Sequence, residues 1–346
     1  MPWPSARVSS FSSFGVISCR FMASKPSSFR SSPAIRLASP FFSPFSTMSS
    51  PSVPRAPWRD LLTSHLDQTP GYEFMIATVG YDAQNRPVPR VRTCGCRGFF
   101  PELKLHPSGQ KDMDQQVEDG GNPECYESDM LSFTTDIRME KLPQLESSGN
   151  AVEAMFWLKD LMMQWRIKGR ALSIGNPRGE DGSEKVARAE IGRGLRLKSD
   201  AIDSKSWTWE KAVTKYFANH SPIMRGMFPY FLMMIKSGSY ESMLLSLTTN
   251  HIVVHLHAHC SSGSFKAPSP GQPRSQEPSD PSLGLGHKIT DLHDPVARNH
   301  FRVVVIVPEE VECLDLSDQA NIRRWKWVLV GTEDGRRHWV EAELWP

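Results

Sequence analysis

No acidic residue occurs before Asp60 in this chain. Phosphate-gripping glycine loops are also missing. No strand pattern runs into G-x-G-x-x-G and there is no Walker sequence, which leaves the common nucleotide-binding folds without support. Charge of one sign is not in excess. The 346 residues carry a formal net charge of +2, so nucleic acid and anionic membranes are not expected partners. The six cysteines (Cys19, Cys94, Cys96, Cys125, Cys260 and Cys313) are scattered. That is no disulfide framework, and a reducing compartment is the default. Apolar runs stay short of a membrane span: "MFPYFLMMI" is too brief and "MLLSLTTNHIVVHLHAH" too polar.

The acid-free opening is rich in Ser, Pro and Phe and carries Arg7, Arg20, Lys25, Arg30 and Arg36. Arginine and serine without acids is the composition of an organellar transit peptide, which would make the protein mitochondrial. A disordered extension over residues 1–52 of a cytoplasmic protein, with Met48 as an alternative start, is the other reading. A secretory signal is disfavoured, because no clean apolar stretch follows the first charges. The remainder, residues 53–346, is expected to form one domain, interrupted over 227–286.

Within that domain "APWRDLLTSHL" has helical spacing of Leu61, Leu62 and Leu66. The period then becomes two, and "YEFMIATVGYDAQNRPVPRVRTCGCRGFF" reads as a hairpin. A polar loop "KLHPSGQKDMDQQVEDGGNPECYESD", a strand "MLSFTTD" and a short helix "IRMEKLPQLESSG", kinked or broken by Pro143, come next. Strands "NAVEAMFWL" and "QWRIKGRALSI", a Gly, Asp and Glu-rich loop and a helix "SWTWEKAVTKYFANH" follow. Strands "FRVVVIVP", "EEVECLDL", "RRWKWVLVG" and "RRHWVEAEL" close the chain. Many strands with few helices predict a mainly β protein with peripheral helices (α+β), an antiparallel barrel rather than a doubly wound sheet.

Basic residues on these strands are the candidate functional groups. Arg90 and Arg92 share a strand face, with Arg97 near the strand end. Thr134, Thr135, Arg138 and Lys141 gather at a strand-to-helix junction. Hydroxyls, guanidinium, ammonium and free helix N–H groups together suit a phosphate. Gln164 begins a strand on which Arg166, Lys168 and Arg170 share one face. Its amide both donates and accepts, as the edge of a heterocycle requires. The plainer alternative is that these cations pair with surface acids.

The order "RVRTCGCRGFF", "LSFTTDIRMEK", "QWRIKGRA", "RRWKWVL" and "WVEAELWP" resembles the pyridoxamine 5′-phosphate oxidase-like family of FMN-binding split barrels. The segments "APWRDLLTSHL" and "PVARNHFRVVVIVPEEVECLDL" are similar to a subfamily known mainly for binding FMN, without a defined substrate. The resemblance spans about Ala56 to Pro346 and implies an antiparallel split barrel, FMN as cofactor and a homodimer with the flavin between subunits. It implies that Arg92, Thr93, Cys94 and Gly95 line the flavin, with Arg92 toward its phosphate or ribityl chain. Thr134 and Thr135 match a flavin-contacting pair, Lys141 a phosphate-binding lysine with Arg138 beside it, Gln164 a partner of the isoalloxazine, and Arg324 a C-terminal arginine near the ring. Arg97 and Tyr216 match residues that hold the substrate phosphate in the true oxidases.

Departures lie mostly on the substrate side, with one on the flavin side beside the phosphate-binding Lys141 that Arg138 would offset. Glu140 stands where the oxidases carry an arginine, and the run Ala320, Asn321, Ile322, Arg323, Arg324 keeps only the last member of an Arg-x-His-x-Arg motif. Leu314 and His220 replace an expected tryptophan and arginine. Losing two charge-assisted contacts at roughly 1.5–3 kcal/mol each weakens binding several hundred-fold or more. The expectation is an FMN-binding flavoprotein, an oxidoreductase on an unidentified small substrate. A genuine pyridoxamine 5′-phosphate oxidase, with Arg97, Tyr216 and Arg323 replacing the lost contacts, and a non-catalytic flavin carrier or sensor are the alternatives.

One stretch invites a metal and is not assigned one. "HIVVHLHAHC" puts His251, His255, His257 and His259 on one strand face, but a straight strand rises about 3.3 Å per residue, so its ligands cannot converge tetrahedrally. It lies in a block of about 36 residues between Gly226 and Gly263, dense in Met, Leu and His, which the resemblance implies is an addition to the family's layout. An insertion, a retained intron in the gene sequence or a lineage-specific loop would each account for it.

Overall fold

A computed structural model describes residues 54–69, 73–175, 182–198, 204–226, 288–332 and 336–346. The N-terminal extension and the whole interruption over 227–286, the histidine-rich block included, lie outside the described residues.

Helix α1 (Arg59–Asp67) buries Leu62 and Leu66, as its spacing predicts. The hairpin follows as β1 (Glu73–Tyr81) and β2 (Pro87–Phe99). Its turn is held by the Asp82 carboxylate, which accepts from the Gln84 and Arg86 N–H groups at 2.9 Å each. The register Tyr81↔Pro87 carries through to Ile76↔Arg92 and Phe74↔Cys94. Next come α2 (Pro107–Gln116), β3 (Tyr126–Glu127), β4 (Leu131–Asp136), α3 (Lys141–Ser147), β5 (Ala151–Leu158) and β6 (Met163–Ile174). Then follow α4 (Gly182–Arg193), β7 (Arg196–Leu197), α5 (Trp209–Ala218), α6 (Pro222–Gly226), α7 (Pro295–His300), β8 (Phe301–Asp315), β9 (Arg323–Gly331) and β10 (Arg337–Leu344).

All pairings of the large sheet are antiparallel, in the order β10-β9-β8-β4-β2-β1-β5-β6. Strand β8 also pairs with β6 along its length. That second pairing closes β1, β2, β4, β8, β6 and β5 into a ring, and β9–β10 continues outward from the far half of β8. Fold class and the closed antiparallel layout agree with the sequence reading. Inside the ring pack Phe74, Ile76, Phe133, Phe156, Trp165 and Val311, among others. A second core lies outside it, where Ile174, Val303 and Val305 meet Val213 and Phe217 of α5 and Ile191 of α4.

Several elements differ from expectation. "FRVVVIVP" and "EEVECLDL" are one strand rather than two. Lys168 pairs with Glu310 and Gly169 with Pro308, so Glu309 is an extra residue, a β-bulge. The bulge reverses which face each residue takes: Val304 and Ile306 point into the ring before it, Val311 and Cys313 after it. It also gives Pro308, which has no N–H, a place in the ladder. Helix α2 replaces part of the polar loop. Pro107 suits a first turn, and the His106 ring caps it by accepting from the Ser108 N–H at 3.3 Å. Only Gly109 and Met113 are buried there, too few to give a periodic signal. Helix α4 forms in the Glu-rich loop. Pro143 neither kinks nor breaks α3, because the helix starts at Lys141 and a first-turn residue needs no N–H.

Candidate functional site

The strand-to-helix junction forms where β1, β2 and β4 meet α3. Arg92 and Thr78 lie on one face because Ile76↔Arg92 and Thr78↔Arg90 are cross-strand pairs two residues apart. Arg92 donates through Nη1 to Thr78 Oγ1 and through Nη2 to Gln144 Oε1, both at 2.6 Å. The Thr78 hydroxyl also donates to Gln144 Oε1, at 2.8 Å. One turn earlier on α3, Lys141 is buried, and its Nζ donates to Thr135 Oγ1 at 3.0 Å and meets Met139 Sδ at 3.3 Å. Arg92, Thr135 and Lys141, brought in by three separate elements, thus stand around one junction. Gln144 and Thr78 complete the arrangement and were not picked out in the sequence. Hairpin register and the three-residue step from Lys141 to Gln144 were the available signals.

Arg138 is held by the carboxylate that ends β4. Its Nε donates to Asp136 Oδ1 at 2.8 Å and its Nη2 to Oδ2 at 2.5 Å. Thr134 faces the opposite way from Thr135, with its hydroxyl 2.9 Å from His220 Nε2 on the outer core. Thr93 is half-buried, Gly95 is buried, and the Cys94 side chain lies in the ring's core. Any contact from Cys94 to a ligand would therefore come from its backbone.

Gln164 and Arg324 are elsewhere. Both flank Leu314, whereas Thr135 pairs with Arg302. Leu314 lies twelve residues further along β8 than Arg302, about 40 Å of extended strand. Arg324 donates through Nη2 to Glu312 Oε2 at 2.7 Å. Burial raises the Glu312 pKa, but the Arg324 hydrogen bond and the charges of Arg324, Arg166 and Lys326 outweigh it and hold the carboxyl below its ordinary value. The remaining cations of β6 take the plainer role: Arg166 meets Glu153 and Glu312, Lys168 meets Glu310, and Arg170 meets Glu190 and Glu309. Thus one chain gathers the Arg92, Thr135 and Lys141 group but keeps Gln164 and Arg324 apart from it.

The residues matched to substrate binding are also placed. Tyr216 is buried on α5, with its hydroxyl 2.8 Å from Ser132 Oγ, and burial pushes its pKa up. Arg323 is engaged by Glu343 at 2.8 Å and lies over the Trp325 ring. Arg97 is on the outer side of β2, and its Nε is sealed from solvent with no hydrogen-bond partner.

The donor set at the junction fits the phosphate end of a flavin mononucleotide. It offers a guanidinium, an ammonium and two hydroxyls, already oriented by bonds among themselves.

Comparison with known proteins agrees with the resemblance read from the sequence. Residues 55–175 match the family model described as pyridoxamine 5′-phosphate oxidase, FMN-binding domain. No curated protein matches the chain. Among solved structures, a pyridoxamine 5′-phosphate oxidase-related, FMN binding protein from Nostoc punctiforme is 18% identical, with a TM-score of 0.42, over 84% of this chain and 98% of that one. PhzG from Burkholderia lata, in complex with tetrahydrophenazine-1-carboxylic acid, is 12% identical with a TM-score of 0.35, over 83% and 89%. A protein related to general stress protein 26, from Clostridium acetobutylicum, is 6% identical with a TM-score of 0.27, over 75% and 90%. The matched domain is an FMN-binding domain.

Proposed function

With residues 55–175 matching the FMN-binding domain of the pyridoxamine 5′-phosphate oxidase family, we propose that the protein is an FMN-dependent oxidoreductase acting on a small molecule. The observation that carries this reading is the hydrogen-bonded group of Arg92, Thr78 and Gln144 beside Lys141 and Thr135. FMN, when bound, supplies the electron chemistry. The chain supplies capture and orientation. Arg92 and Lys141 offset the charge of the phosphate, Gln144 aims the Arg92 guanidinium, and Thr135 positions the Lys141 ammonium. Gln164 offers an amide that can both accept from and donate to a heterocycle edge.

The distance along β8 between Thr135 and the pair Gln164 and Arg324 supports a homodimer, in which a second copy brings the ring-side residues to the phosphate-side residues of the first. Oxidation of pyridoxine 5′-phosphate is disfavoured. Two of the three residues needed to replace the lost contacts are already engaged, Tyr216 by Ser132 and Arg323 by Glu343.

Two experiments test this. FMN-loaded protein should be reduced by NADH or NADPH and reoxidised by at least one member of a panel of small acceptors. Flavin that stays bound but is never turned over would make the protein a carrier. For the dimer, Arg92→Ala and Arg324→Ala chains, each weak for FMN, are mixed and refolded together. Recovery of tight sites in about a quarter of the subunits, the share that random pairing leaves with a fully intact site, is expected. No recovery would mean that each site is built from one chain.

A further inference from the structure

The buried face of α1 carries a titratable ring. Leu62, His65 and Leu66 follow helical spacing, and all three are buried. Leu62 and Leu66 pack in the ring's core. His65 meets that core through Trp165 of β6, which is fully buried. The two side chains meet edge to face, with centroids 5.7 Å apart and planes at 63°. The Trp165 indole Nε1 donates to His65 Nδ1 at 3.1 Å.

An indole N–H can only donate, so Nδ1 of His65 is the unprotonated nitrogen and the neutral ring carries its proton on Nε2. A carbonyl oxygen in that place would accept at any pH. An imidazole nitrogen accepts only while the ring is neutral. Protonation would set Nδ1–H against the indole N–H and leave a fully buried donor without an acceptor. Trp165 also passes the contact on. It stacks on Trp327 of β9 at 6.0 Å and 9°, and the Trp327 Nε1 donates to Glu341 Oε2 of β10 at 2.8 Å. His65 is thus the α1 end of a run of contacts through β6, β9 and β10.

The charges around His65 leave it close to a single carboxylate. On β8, Cys313 pairs with Trp165, and Asp315, two residues on, shares its face. On β6, the next cation, Arg166, takes the other face and meets Glu153 and Glu312. On α1 itself, Arg59 is engaged by Glu102 and Asp129, Asp60 by Arg55, and Asp67 is exposed. Burial lowers the His65 pKa from 6.5, and the charge of Asp315 opposes this only in part. With the folded value depressed, the stabilisation is full above about pH 6.5 and is lost as pH falls through the folded value.

We propose that the His65–Trp165 contact is a proton-operated latch, which holds α1 on β6 while the imidazole is neutral and releases it on protonation. The inference uses neither the junction residues nor FMN, so it stands or falls apart from the flavin reading.

The test is amide hydrogen exchange of the full-length protein at pH 7.5 and pH 4.5, read by mass spectrometry and corrected for the intrinsic pH dependence of exchange. Residues 59–67 and 163–167 should lose protection by about fivefold or more at the lower pH, the share of one buried hydrogen bond. Helix α3, which carries no histidine, should keep its protection. His65→Asn supplies an amide oxygen that accepts without titrating, and should keep α1 protected at both pH values. His65→Phe removes the acceptor, and α1 should exchange at the raised rate at both. Should either variant fold poorly, the parent's contrast between α1 and α3 decides. The proposal is overturned if α1 of the parent is equally protected at both pH values or if α3 loosens as much as α1. It is also overturned if His65→Asn keeps the acid loss, or if His65→Phe protects α1 as well as the parent does at pH 7.5.

Discussion

Replacing Gly169 with alanine tests the ring closure more sharply than any core truncation. Gly169 pairs with Pro308 at the bulge, the point where β8 changes face. A methyl group built on Gly169 would overlap the Val307 carbonyl oxygen and come within 3.0 Å of both Val307 C and Pro308 Cα. All of these are backbone atoms, so no rotamer change relieves the contact. Either β6 and β8 separate locally or the bulge moves. Overpacking of this kind costs up to about 3 kcal/mol, a large part of the roughly 5–15 kcal/mol that holds a domain together. At about 2–4 °C per kcal/mol for a domain of 150–250 residues, the melting temperature should fall by on the order of 5–10 °C. Gly98→Ala is the control. Gly98 has φ +76° and no atom within 4 Å of an added methyl, so it carries only left-handed strain of about 1–2 kcal/mol. Thermal unfolding followed by circular dichroism reads both variants. A Gly169→Ala protein as stable as the parent would refute the close β6–β8 approach.

Three further outcomes follow from the geometry. Gln144→Leu removes the acceptor that aims Arg92 and should raise the Kd for FMN about tenfold with little change in melting temperature; an unaltered Kd would mean that Arg92 needs no positioning. Burial pushes the Cys96 and Cys313 thiols from 9.0 up to about 12. Because the folded values are raised, their contribution to stability is full below about pH 9 and is lost as pH rises toward 12. Denaturant midpoints should fall across that window, and iodoacetamide at pH 8 should label both cysteines only after unfolding; rapid labelling of the native protein would contradict the burial. Tyr216→Phe removes the contact with Ser132, costing about 1 kcal/mol of stability and leaving FMN affinity unchanged; a weakened Kd would put Tyr216 at the flavin.

Much of the fold was legible because its strands alternate cleanly. The hairpin of β1 and β2, the strands β4, β5, β6, β9 and β10 and the helices α1 and α5 follow from period and turn chemistry. What escaped were features set by tertiary contacts. Helix α2 has too little buried surface to show a period. The continuity of β8 through Pro308 depends on a bulge opposite a glycine on another strand. For the candidate site, Arg92, Thr135 and Lys141 were visible as basic and hydroxyl residues at a strand-to-helix junction. Thr78 and Gln144 were not, since neither is charged and their value arises only when the hairpin register and α3 bring them to Arg92. The cations of β6 looked equally promising on the strand and are neutralised by Glu153, Glu190, Glu309, Glu310 and Glu312, partners that sequence spacing does not reveal.

The most direct measurement is a fluorescence titration of FMN into the full-length protein and into Arg92→Ala and Lys141→Ala variants. One FMN per chain is expected, with a Kd weaker by about ten- to a hundredfold in each variant, from loss of a charge-assisted contact worth roughly 1.5–3 kcal/mol. A protein that takes up no FMN, or variants that bind it as tightly as the parent, would contradict the assignment of the junction as the flavin phosphate site.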